Sequence, residues 1–311
     1  KYLKKNKKIH FISNNLKKEY LIRLKSENFF HHNIKLKKNS SVEDANKTNQ
    51  ILRKLSNPVD LLIVDSYKLG IEWENITKSY VKKLMVIDDF FRKHNCDIYL
   101  NYTNYKFHKN FLPSKCLKLI GPKYIILNKK YTQKNKKEDN KKKINIFVFM
   151  GGADRSNFTL KLFNYFKKPI FKNFKFKFVI GINNKRKNLF IKMGKKINNF
   201  NIYYNLKNLK SLLSSSSFCI SNGGQVIWEI IYNKIPNIIF CKDKYRNNII
   251  FKNQKILHSY IFEINKSNMF QQYLKKTDSL IRDYSSPKKK MLIKNKIVDG
   301  RGLQRILQKI K

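Results

Sequence analysis

Phe218-Cys-Ile-Ser-Asn-Gly-Gly-Gln-Val-Ile-Trp-Glu-Ile-Ile231 is the stretch on which the fold turns. An apolar run closes on Ser221, Asn222, Gly223 and Gly224, and a helical pattern opens directly behind them, with Pro236 and a further apolar run to follow. Strand, glycine turn and helix in that order put backbone N–H groups at a helix N-terminus, where a phosphate binds. The same grammar recurs upstream: Ile144 to Met150, then Gly151-Gly152-Ala153-Asp154, then another amphipathic pattern. Two such loops in one half of a chain point to chemistry on a nucleotide or a nucleotide-sugar.

Working outward, short apolar runs alternate with helical patterns almost throughout, which predicts α/β architecture with parallel sheets covered by helices on both faces. Strands are expected at Ile9 to Ser13, Asp60 to Asp65, Lys83 to Asp88 and Asp97 to Asn101. In the second half they are expected at Ile144 to Met150, Phe176 to Gly181, Asn201 to Tyr204, Phe218 to Ser221, Asn237 to Phe240 and Ile261 to Ile264. A helix over Ser41 to Leu55 opens on a Ser-x-x-Glu or Ser-x-x-Asp cap. The polar stretch 128–143 reads as a solvated linker. It separates an N-terminal Rossmann-like domain, 1–127, from a C-terminal one, 144–311, with a ligand cleft expected between them.

The net charge of +48 would ordinarily indicate a polyanion partner. Here Lys, Asn, Ile, Phe and Tyr are abundant together and the lysines are spread evenly, the composition of AT-rich coding. No RNP-like, zinc-finger or recognition-helix pattern supports nucleic acid. Cys96, Cys116, Cys219 and Cys241 stand far apart with no C-x-x-C pair, so they read as reduced core residues, and no metal site or cofactor is expected. No apolar run approaches the roughly 18 residues that span a bilayer. A cytoplasmic protein is expected, and the oligomeric state is not legible.

Leu61-Leu-Ile-Val-Asp-Ser-Tyr67, Ile87-Asp-Asp89 with His94-Asn-Cys-Asp97 and Asn101, Gly121-Pro-Lys-Tyr124, Met150-Gly-Gly-Ala-Asp154, Ser221-Asn-Gly-Gly224 with Glu229, Asn253-Gln254, and Val298-Asp-Gly-Arg-Gly302 follow one another along the chain. In that order these segments resemble the UDP-2,4-diacetamido-2,4,6-trideoxy-β-L-altropyranose hydrolases of pseudaminic acid biosynthesis, the PseG family, relatives of the MurG-type glycosyltransferases. The resemblance implies a GT-B-like fold. It also implies water attack at the anomeric carbon of a UDP-sugar, releasing UDP and the free sugar without a metal. The loops at Gly151, Gly152 and Asp154 and at Ser221, Asn222, Gly223 and Gly224 would then hold the diphosphate. Glu229 would take the ribose diol and Asn253 and Gln254 the sugar and diphosphate, while Tyr67 would correspond to the family's active-site tyrosine and Asp88 and Asp89 would hold sugar hydroxyls or cap a turn. His94 is read as structural, and Asp299 as an N-cap for the last helix.

One departure bears on activity. The family carries its general base on a G-x-G-H-x-x-R loop after its first strand, and that motif is not in this sequence. His10 lies inside a strand and does not replace it. The chain is expected to start within its first domain, short of roughly 25 to 35 residues, and to turn over poorly by itself, since loss of a general base costs about 10² to 10⁴ in rate. The competing readings are a MurG-like transferase, a non-catalytic nucleotide-sugar binder, and a polyanion-binding protein driven by charge.

Overall fold

The computed structural model describes residues 8–37, 40–90, 92–103, 111–128, 144–206, 208–241, 259–264, 267–285 and 298–310. Contacts divide the chain into two compact units, the division falling between Ile120 and Gly121.

In the first unit β1 (His10–Ser13) and β2 (Phe30–Asn33) pair in parallel as a two-stranded ribbon. A separate four-stranded parallel sheet runs β3 (Leu62–Val64), β4 (Leu84–Ile87), β5 (Ile98–Asn101), β6 (Leu117–Ile120) in that order. Side chains reinforce the backbone ladder of the ribbon. His10 Nδ1 lies 2.9 Å from His32 Nε2, Ser13 Oγ lies 2.9 Å from His31 Nε2, and the His10 ring stacks on Phe30 at 4.7 Å. Three helices, α1 (Lys18–Ser26), α2 (Ser41–Lys54) and α3 (Ile71–Thr77), connect these strands. Of the two caps open to the sequence the Ser-x-x-Glu one is present: Ser40 Oγ accepts the Glu43 N–H. Helix α2 docks on α3 through Trp73 Nε1, which donates to Asp44 at 2.8 Å, and Asn49 Nδ2, which donates to the Ile76 carbonyl at 3.0 Å. Ala45, Val64, Trp73, Leu84, Val86 and Tyr99 form the core beneath them.

The second unit holds six parallel strands, β7 (Ile144–Phe149), β8 (Phe174–Ile180), β9 (Phe200–Tyr204), β10 (Phe218–Ser221), β11 (Asn237–Cys241) and β12 (Ser259–Glu263), in the spatial order β12-β11-β10-β7-β8-β9. The chain winds outward from β7 to β9, returns to the other side of β7 and winds outward again, so the order reverses between β7 and β10. That is the doubly wound Rossmann arrangement, whose ligands bind beyond the carboxyl ends of the strands at the reversal. Helices α4 (Phe158–Phe166), α5 (Lys187–Gly194), α6 (Lys210–Ser214), α7 (Val226–Tyr232), α8 (Ser267–Ser285) and α9 (Gly302–Ile310) belong to this unit. The core is built largely of phenylalanine: Phe163, Phe166, Phe176, Phe178 and Phe200 meet ring to ring at 4.6 to 6.0 Å. Strand β8 alternates Phe and Lys, yet its sheet is covered on both faces, so Lys177 is buried and its ammonium donates to the carbonyl and hydroxyl of Ser215, both at 2.8 Å.

The apolar-run reading passes over β2, β6 and α8. It also treats Asp299 as a helix cap, and here the structure differs. Helix α9 starts at Gly302, and Asp299 stands further back, accepting the Arg301 N–H at 3.0 Å and the Arg305 guanidinium at 2.8 Å. Arg305 also donates to the Lys123 carbonyl at 3.0 Å, so the acid anchors α9 to the turn at Pro122–Tyr124 and does not cap it. The Arg305 hydrogen bond holds the Asp299 carboxyl below its ordinary range. Gly302 is needed for this contact, because a Cβ there would lie 2.1 Å from the Ile125 carbonyl oxygen.

Candidate functional site

At the reversal of the second sheet, three loops are laced together. Gly151, the second residue after β7, has φ +85°, and Gly223, after β10, has φ +73°. Asn222 ties the two turns to each other: its Nδ2 donates to the Met150 carbonyl at 2.9 Å, and its Oδ1 accepts the Gly224 N–H at 3.3 Å. A Cβ on Gly151 would sit 2.8 Å from Asn222 Nδ2. From the other side Gly181, at the end of β8, presses on the Gly151-Gly152 backbone so closely that a Cβ would lie 2.3 Å from the Gly152 oxygen and 2.4 Å from its Cα. The Asn183 N–H donates to the same Gly152 oxygen at 3.0 Å. The sequence shows both glycine loops, whereas Gly181 carries no local signature of this role.

Asp154 turns back into the protein. Its Oδ1 accepts the Phe158 N–H at 3.0 Å and its Oδ2 the Thr159 N–H at 2.9 Å. The first-turn amides of α4, which the strand–glycine–helix pattern offers to a phosphate, are therefore occupied by a carboxylate of the same loop. Burial raises the Asp154 carboxyl, against the pull of the Thr159 and Phe158 hydrogen bonds. Ser221 is wholly buried at the end of β10, and Glu229 is half-buried on α7 among the buried Trp228, Ile230 and Ile231. Asn253 and Gln254 lie outside the described residues.

In the first unit the carboxyl ends of β3, β4 and β5 gather Asp65, Tyr67, Asp88, Asp89 and Tyr102. Tyr67 is 62% exposed, its ring edge-on to Phe90 at 4.5 Å. Arg92 holds the loop that carries it, donating to the Tyr67 carbonyl at 3.1 Å and to Asp88 at 2.8 Å. Asp88 is buried with both oxygens engaged. Oδ1 accepts the Phe90 N–H at 2.7 Å, and Oδ2 accepts Arg92 Nε and faces His94 Nε2 at 2.9 Å. Of the two roles read for Asp88, the turn cap is the one its hydrogen bonds match. Asp65, absent from the sequence-derived candidates, is raised by burial and by the nearby Asp88 charge, and Tyr102 is pushed up to about 12 by burial and by Asp65 and Asp89.

His94 is clamped between two acids, with Nδ1 2.6 Å from Glu74 and Nε2 2.9 Å from Asp88. Both ring nitrogens face carboxylates, so both donate and no lone pair remains for proton abstraction. Burial pulls its pKa down, but the hydrogen bonds to Asp88 and Glu74 and their charges outweigh that and raise it to about 9. A folded-state pKa above the unfolded value of 6.5 stabilises the fold fully below about pH 6.5, and that stabilisation is lost as pH rises through about 9, at most roughly 3 kcal/mol. Urea midpoints of the first unit should accordingly fall across that range. A midpoint that holds constant there would mean His94 is neutral in the fold.

No family model matches the chain. Among curated proteins it is similar to the UDP-2,4-diacetamido-2,4,6-trideoxy-beta-L-altropyranose hydrolase of Campylobacter jejuni, 26% identical over 183 residues, which cover 56% of this chain and 64% of that protein. It is also similar to an uncharacterized protein of Methanocaldococcus jannaschii, 25% identical over 239 residues, covering 71% of this chain and 47% of the other. The chain thus spans less than two thirds of the length of either relative. Among solved structures it resembles Acinetobacter baumannii MurG, with TM-score 0.61, 10% identity, and 97% of this chain and 91% of that one covered. It likewise resembles S. aureus MnaA solved with UDP, with TM-score 0.61, 13% identity, and coverage of 96% and 86%. The fold is GT-B-like, of two Rossmann-like units, and the resemblances to the hydrolase and to MurG read from the sequence are both borne out. Among the described residues no helix is long and apolar enough to cross a membrane.

Proposed function

We propose that the protein acts on a UDP-sugar, as a hydrolase that cleaves the anomeric bond to release UDP and a 2,4-diacetamido-2,4,6-trideoxy-L-altrose. The observation that carries the reading is the coincidence of two glycine turns at the reversal of a Rossmann sheet in a chain similar to the Campylobacter jejuni hydrolase. The amides of Gly151, Gly152 and Gly223 are the donors we assign to the diphosphate, because backbone N–H groups in such turns form anion-binding concavities. Asn222 positions them by tying one turn to the other. Glu229 is assigned to the ribose, whose vicinal hydroxyls suit a carboxylate that accepts two hydrogen bonds.

In the first unit, Tyr67 is the side chain we assign to substrate, held by Arg92. Asp88 is assigned to support of that loop, and Asp154 to the α4 terminus. The described histidines are all engaged, His10 with His32, His31 with Ser13 and His94 with its acids, so none of them is assigned as the base.

Asn222→Ala should weaken UDP binding about tenfold by releasing both turns, since the two positioning hydrogen bonds it loses are together worth about 1.4 kcal/mol. Titration calorimetry with UDP measures this, and unchanged affinity would remove these loops from the diphosphate site. UDP release from the diacetamido UDP-sugar with no acceptor present supports the hydrolase. Release only on adding an acceptor would make the protein a transferase.

A further inference from the structure

Two thiols in the first unit face each other in a place the proposed reaction does not use. Cys96 lies two residues before β5 and Cys116 directly before β6, and these strands are neighbours in the parallel sheet. Their sulfurs are 3.8 Å apart, with Cys96 1% and Cys116 7% exposed. The flanking backbone is pinned, because the Leu117 N–H donates to the Asp97 carbonyl at 2.8 Å and the Cys116 N–H to the Pro113 carbonyl at 3.0 Å. The remaining described cysteines, Cys219 and Cys241, are buried in the second unit.

We propose that Cys96 and Cys116 are a redox-modification site, closing to a reversible disulfide in the folded protein when a peroxide reaches Cys116. Cys116 is the more exposed of the two, 7% against 1%, and the Cys96–Cys116 hydrogen bond and the charge of Lys118 favour its thiolate against burial, which marks it as the nucleophile. Cys96 is shifted upward by the same hydrogen bond and by burial, so it keeps its proton at this stage. The Cys116 thiolate attacks one peroxide oxygen, forming an S–O bond as the O–O bond breaks, and hydroxide leaves to take up a proton as water. Cys96 sulfur then attacks the sulfenic sulfur, forming the S–S bond as the S–O bond breaks. The departing hydroxide takes the Cys96 proton and leaves as a second water. Two thiols lose two electrons and one peroxide gains them. The sulfurs must approach by about 1.8 Å to reach disulfide length. Cys96 follows Asn95, whose N–H donates to Glu74 at 2.6 Å, so the closure draws on the segment that buries His94.

The test exposes the full folded chain to hydrogen peroxide, alkylates remaining thiols after denaturation and digests without reductant. Lysines between the two cysteines let trypsin separate their peptides. The expected result is a linked pair of peptides, lighter than the separate ones by two hydrogens and parted by dithiothreitol, with Cys219 and Cys241 alkylated. In Cys96→Ser, dimedone should instead trap a sulfenic acid on Cys116. Recovery of both cysteines alkylated from oxidised wild-type protein would overturn the proposal, as would a link that forms only after unfolding in urea.

Discussion

Gly181→Val should abolish UDP binding and destabilise the second unit by about 3 kcal/mol, the upper part of the range for forced overpacking. The new Cβ would lie 2.3 Å from the Gly152 oxygen and 2.6 Å from the Gly151 oxygen, and both are backbone atoms of the turn assigned to the diphosphate. Neither strand can step aside, because β7 and β8 are paired along their length and the Asn183 amide also holds the Gly152 oxygen. Gly152→Ala is the internal control. Its Cβ would meet no atom within 4 Å, so its cost in stability should stay below about 1 kcal/mol. Urea unfolding and UDP calorimetry on the two variants measure both quantities. Equal behaviour would mean that the β8 end does not shape the turn.

Glu74→Ala should cost the first unit about 3 to 5 kcal/mol, the usual effect of removing one partner from a buried ion pair. Glu74 and His94 have fully buried side chains, and the Glu74 carboxylate accepts the Asn95 N–H at 2.6 Å as well as facing His94 Nδ1. The substitution leaves a buried imidazolium with Asp88 alone and a backbone donor without its acceptor. His94 then loses one of the groups that raise its pKa, so the alkaline fall in stability should shrink and begin at lower pH. Urea denaturation of the variant near neutrality, and again above the His94 range, separates these effects. A variant that unfolds at the wild-type midpoint at both pH values would show that the acid is not structural.

The two glycine turns were readable because strand, glycine and helix are contiguous and each leaves its own periodic trace. So was a serine cap on α2, which spans only four residues, although the choice between Ser40 and Ser41 needed the structure. What sequence reasoning missed is long-range or polar. Gly181 looks like an ordinary end of a strand, and its close neighbour Gly152 is far away in the chain. Glu74 sits on α3, twenty residues before the histidine it faces, with no spacing that announces the pair. The β2 sequence Phe-His-His-Asn offers no apolar alternation. Helix α8 did leave a signal, since Phe270, Leu274, Thr277 and Ile281 are buried at helical spacing, but charged residues between them hide it. Asp154 misleads in another way: Gly-Gly-Ala-Asp reads as a phosphate loop, while its carboxylate serves the helix beside it.

The β1–β2 ribbon sets a second demand on the histidines of the first unit. His10 and His32 touch through ring nitrogens 2.9 Å apart, an arrangement in which at least one ring must stay neutral. Burial, the largest influence on each, lowers both pKa values, and for His10 the charge of His32 adds to it. A lowered histidine pKa contributes stability at neutral pH that is lost as acid protonates the ring. His94 needs its proton, and the ribbon needs one withheld. Mild acid therefore loosens the ribbon while alkali loosens the Glu74–His94–Asp88 cluster, so the two histidine sites of the first unit answer pH in opposite directions.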